Sequence, residues 1–181
     1  MHARRTELAD REIAERQLGR PLRGGIEVAS RCPYGVVQVI ANPPLLPDGT
    51  PFPTLYWLSC PLLCRSVSRL ESGDFRLRLR ARMENDPGFA ESLRLAERDY
   101  AEARARWAER MGAGEACERY FARRGGIGGT SRGGMKCLHA HLAHFLAEGY
   151  NPVGAEVALE LGDVQREECG GDCDPFIRGR R

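Results

Sequence analysis

A chain of 181 residues with 42% hydrophobic and 29% charged residues is large enough for one domain with a substantial core, and its balance is that of a globular protein. A formal charge of +2 exerts no global pull toward nucleic acid or an acidic membrane, and no stretch of about eighteen apolar residues offers a membrane span. Neither nucleic acid nor a membrane is an expected partner, so function has to come from local sites.

The opening stretch, MHARRTELADREIAERQLGR, lacks the apolar run of a secretory signal, and the expected compartment is the cytoplasm. Seven cysteines in a reducing compartment, an odd number, do not suggest a disulfide framework; metal ligation, reactivity or burial remain for them. Lys136 is the only lysine, a bias that base composition explains more simply than any need for arginine.

In chain order, residues 7–18 carry apolar side chains at helical spacing, and Gly19 and Pro21 close that helix. GGIEVAS, YGVVQVI and PTLYWLS read as three short strands, the last following the turn signal at Pro47, Asp48 and Gly49. Pro61 sits where a first helical residue belongs, so PLLCRSVSRLESG is predicted helical, with Cys60 at a strand-to-helix corner. A further short helix is expected over DFRLRLRARMEN, and Asp86 with Pro87 opens a long one that runs to Met111. Along it Phe89, Leu93, Ala96, Tyr100, Ala103 and Trp107 recur in steps of four and three. That seam fits core packing, or else a protein partner docking through the 87–111 helix.

RRGGIGGTSRGG reads as a flexible connection, and MKCLHAHLAHFLAEG after it as a helix starting near Lys136. GYNPVG is a predicted turn and AEVALELGDV a last helix. The whole is expected to be α+β, a small antiparallel sheet packed on helices in a single domain: a lead-in over 1–24, a core over 25–165 and a mobile tail over 166–181.

A helix begun near Lys136 puts Cys137, His141 and His144 on one stripe and His139 off it. Cys32 in RCPYG and Cys60 in SCP stand at loop corners from which a side chain projects freely. Three thiolates and an imidazole complete a tetrahedral zinc site, and an iron–sulfur cluster is the other soft-ligand option, since proline follows both Cys32 and Cys60. Against this stands plain burial of the cysteines and histidines. An enzyme reading makes Cys137 a nucleophile activated by a helix N-terminus and His141, without a third orienting group.

The glycine loop resembles a phosphate loop only loosely, because Met135 stands where its lysine belongs. A small anion held at 125–136 by Arg132 and Lys136 is the milder reading. Cys169 and Cys173, in ECGGDCD, offer a metal pair or redox couple, although the polar tail favours a structural explanation.

QLGRPLRG, VASRCPYG, LPDGTPFPTLYWLSCP, RLESG and GGMKCLHAHLAHFLAEGYNPVG, in that order, resemble the bacterial family called domain of unknown function 501, common in actinobacteria, from about Ala9 to Leu161. The resemblance implies no defined activity. The resemblance also implies gene neighbours among septum-formation initiators, enolase and exopolyphosphatases, and by that association alone an accessory role near cell division or polyphosphate. Its motifs coincide with Cys32, Cys60, Cys137, His139 and His144, so His139 and His144 rival His141 as the fourth ligand. The expected centre is therefore structural zinc held by Cys32, Cys60, Cys137 and one of His139, His141 and His144, with a thiol- or metal-dependent enzyme and an interaction module as alternatives.

Overall fold

Short β-branched runs become a three-stranded antiparallel sheet of order β1-β2-β3, formed by β1 (Glu27–Arg31), β2 (Val37–Ala41) and β3 (Tyr56–Leu58). Glu27 pairs with Ala41, and Val39 and Ala41 with Leu58 and Tyr56. The computed structural model describes residues 2–122, 125–131, 133–135, 137–171 and 173. Every residue of β2 is buried, because both faces of this central strand are covered. Val37 and Ile40 pack with Ala14 and Leu22 under the first helix, α1 (His2–Leu18), while Val39 and Ala41 enter the main core.

The helices follow as α2 (Pro61–Ser72), α3 (Phe75–Asn85), α4 (Pro87–Arg110), α5 (Gly114–Phe121), α6 (Leu138–Glu148), α7 (Pro152–Leu161) and α8 (Val164–Glu167), with a 3-10 turn at Ile127–Gly129. The α+β architecture read from the sequence is the observed one. Among the described residues no helix is long and apolar enough to cross a membrane.

The Asp86 carboxylate accepts from the Phe89 amide at 3.0 Å and so caps α4. All six seam residues of α4 are buried, so the chain itself covers them. Tyr100, wholly enclosed, accepts the Leu55 amide proton at 2.6 Å and ties α4 to the segment entering β3.

The helix α5 is an addition to the predicted elements: beyond Met111, Gly112 and Gly114 interrupt the helical signal, yet the chain resumes a helix at Gly114. Cys117 and Phe121, four apart, bury one face of it beside Ala108. The buried Arg104 guanidinium lies 4.2 Å from the Phe121 ring centre and 4.9 Å from that of Tyr100.

GYNPVG is less a turn than a helix start. Gly149, at φ +79°, closes α6, and Asn151 caps α7 by accepting the Gly154 amide proton at 2.8 Å. The helices α6 and α7 meet at Gly154, where hydrogen alone fits between the backbones.

Candidate metal centre

The helix α6 starts at Leu138, and Cys137 precedes it as an N-cap in extended conformation, φ −133° and ψ 104°. That shift removes Cys137 from the helical wheel. Its thiol is grouped with His139 in the first turn, while His141 and His144 turn inward.

The third member of the group comes from the last turn of α2. One oxygen of Glu71, Oε1, accepts the Leu138 amide proton at 2.6 Å, satisfying an orphan donor at the start of α6 and favoured by the positive end of the helix dipole. Its other oxygen lies 3.4 Å from His139 Nδ1. Potential ligand atoms of Glu71, Cys137 and His139 all fall within 4.8 Å of one another, the one such group of three among the described residues.

The far nitrogen of His139, Nε2, sits 3.1 Å from the Cys64 carbonyl and 3.3 Å from Ser68 Oγ. Beside a carbonyl oxygen that nitrogen must carry its hydrogen and donate it. The arrangement leaves Nδ1 facing a carboxylate at 3.4 Å, a contact that a second proton or a metal ion between them would favour. The Cys137 side chain, foremost, and then the Cys64 carbonyl and Glu71 raise the His139 pKa to about 9 against the opposing effect of burial. Glu71 and His139 are each about a quarter exposed, so a small ion and water reach them.

The buried histidines form a different assembly. His141 Nδ1 lies 3.3 Å from the Asn151 amide group, and its Nε2 lies 3.4 Å from the Gly134 carbonyl. His144 Nε2 lies 3.1 Å from Asp99 Oδ2, and Asn151 Nδ2 meets its Nδ1 at 3.1 Å. Asn151 thereby joins both rings to the cap of α7, and His144 stacks on Tyr56 with ring centres 5.8 Å apart.

Burial drives His141 down to about pKa 4 and lowers His144 despite Asp99. A histidine protonated less readily when folded costs nothing above its unfolded pKa near 6.5, and its stabilising difference is lost as pH falls toward 4. Urea unfolding from pH 7 down to pH 4 should therefore lose on the order of 3 kcal/mol through His141, and His141→Gln should flatten that slope. An unchanged slope in the variant would show that His141 titrates freely.

The six expected ligands thus occupy three places. Cys137 and His139 stand with Glu71, His141 and His144 with Asn151, and Cys32 and Cys60 line a separate cavity together with Cys169 and Cys173. Nothing local in the sequence marks Glu71 as a ligand; its only signal is a carboxylate at the close of a predicted helix. Arg132 and Lys136, the expected anion ligands, lie outside the described residues. Within the same loop the Gly133 amide is already bound to the Glu97 carboxylate at 2.6 Å.

A match to the family described as "Protein of unknown function (DUF501)" extends over residues 28–159. The chain belongs to the DUF501 family. No curated protein and no solved structure matched it. The DUF501 region encloses the Glu71, Cys137 and His139 group and both buried histidines, and it also takes in Cys32 and Cys60. Cys169 and Cys173 fall beyond it.

Proposed function

We propose that this protein binds zinc through Cys137 Sγ, His139 Nδ1 and a Glu71 oxygen. The observation that carries the reading is the convergence within 4.8 Å of a carboxylate from the end of α2 with an imidazole and a thiol from the first turn of α6 and the residue that caps it. Their chemistry suits zinc, which accepts sulfur, nitrogen and oxygen donors together. The hydrogen bond from His139 Nε2 to the Cys64 carbonyl is the outer-shell contact that orients a metal-bound imidazole. Zinc there would clamp the end of α2 to the start of α6, and three protein ligands would leave a fourth position for water or another donor.

Binding has to displace the proton on His139, so zinc affinity should climb as pH rises toward about 9. The metal-free protein behaves oppositely. A raised histidine pKa gives stability that is complete below the unfolded value and is lost as pH rises through about 9. Competition against a chelating zinc indicator measures the first effect. Cys137→Ala or His139→Ala should lower the zinc stoichiometry by one ion, with an affinity loss beyond the roughly 10–100-fold typical of outer-shell changes. Equal zinc binding by the wild type and by Cys137→Ala would refute the assignment.

A second reading rests on the same three side chains. With Glu71 supplying an orienting carboxylate, Cys137 and His139 form a thiol–imidazole pair at a helix start, the arrangement of a cysteine nucleophile. It is the weaker of the two because His139 Nε2 is committed to the Cys64 carbonyl. Rapid alkylation of Cys137 by iodoacetamide at neutral pH, unaffected by zinc, would favour it; zinc protection favours the metal centre.

A further inference from the structure

A separate cavity holds more thiols than the Glu71, Cys137 and His139 group. Cys32 follows β1, Cys60 caps α2, and Cys169 and Cys173 follow α8, yet all four line one cavity of about 260 Å³. Four of the seven cysteines in the chain therefore face a single space. Its remaining walls include Tyr34, Val36, Val37 and Gln165, with no carboxylate and no imidazole among the described lining residues.

We propose that Cys32, Cys60, Cys169 and Cys173 hold an iron–sulfur cluster in this cavity.

An all-sulfur donor set in an apolar pocket selects soft metals, which restricts the choice to zinc, copper(I) or an iron–sulfur cluster. Spacing then sets a single zinc ion apart from a cluster. A single tetrahedral zinc draws its sulfurs to about 3.8 Å from one another, as Zn–S bonds of about 2.3 Å require. Among the described residues no three of these sulfurs lie within 4.8 Å of one another. A cluster spreads its thiolates wider, one or two to each iron, and its bridging sulfides fill the space between. Binding replaces four thiol protons with four iron–sulfur bonds, the protons passing to solvent.

Two amides complete the setting. Gln17 Nε2 donates to Cys173 Sγ at 3.2 Å, and Gln165 Nε2 donates to Cys60 Sγ at 3.6 Å. Such N–H···S bonds are among the means by which a protein sets the potential of a cluster. Cys32 is held in a tight turn, its amide donating to the Val36 carbonyl at 2.8 Å and its carbonyl accepting from Gly35 at 2.9 Å. The cluster would fasten the segment after α8 to the sheet, a link the zinc centre does not make.

The test is anaerobic reconstitution of the full-length protein with iron and inorganic sulfide, followed by iron and acid-labile sulfide analysis and visible absorption. The expected result is iron and sulfide bound in equal amounts, with a broad sulfide-to-iron band. Cys60→Ala and the double variant Cys169→Ala, Cys173→Ala should lose more than tenfold of both, with far-ultraviolet circular dichroism confirming that each variant is folded. Cys173→Ala lies outside the main core and keeps the question answerable if Cys60→Ala fails to fold. Cys137→Ala should keep the cluster while losing the zinc, so the two sites stand or fall separately. Any of three outcomes overturns the proposal: full cluster content in the double variant, cluster loss in Cys137→Ala, or uptake of zinc alone by the four thiols.

Discussion

Replacing Tyr100 with alanine is expected to destabilise the protein by about 4 kcal/mol, a large part of the stability of an ordinary domain. The ring is wholly buried in the main core, edge-on to Tyr56 at 5.9 Å and to His144 at 5.2 Å between centres. Truncation leaves a cavity bordered by α4, β3 and α6, and it strands the Leu55 amide that Tyr100 accepts. Tyr100→Phe isolates the second effect, since the ring remains and only the hydroxyl goes; it should cost about 1–3 kcal/mol. Chemical denaturation monitored by circular dichroism measures both. A Tyr100→Ala protein as stable as the wild type, but altered in its association with another chain, would mean that the α4 seam serves a partner.

The second large effect is expected at Gly154. A Cβ there would lie 2.5 Å from Phe145 Cβ and closer still to the His141 carbonyl oxygen, so neither backbone can yield without α6 and α7 separating. Gly154→Ala should cost about 3 kcal/mol, the upper part of the usual range for overpacking, although alanine is the better helix former. The cost should spread to the polar assembly, because Asn151 caps α7 through the Gly154 amide and holds both His141 and His144. Gly25→Ala, where a Cβ meets nothing within 4 Å, is the control and should be close to neutral. Equal melting temperatures for the two variants would show that the helices can move apart freely.

Local signals accounted for most of the fold. The Asp86–Pro87 start, Pro61 at the head of α2 and the β-branched runs of the sheet each act within a few residues, so their consequences are legible in sequence. The α4 seam was legible because six apolar side chains at helical spacing need a common core. The site was much less so. A single residue decided whether Cys137 belonged to the helical stripe: with α6 beginning at Leu138, the stripe lost its thiol and His139 gained one.

By itself the sequence determined the three strands, most of the helices and the identity of the chemically soft side chains, because capping, periodicity and β-branching are short-range properties; α5 and the start of α7 were not legible in it. Only the tertiary structure decided which of those side chains meet. Glu71 and Cys137 are brought together by the packing of α2 on α6, and Cys32 and Cys173 by the return of the chain past the sheet. Ligand convergence depends on contacts between segments far apart in the chain, and no local preference encodes such a distance.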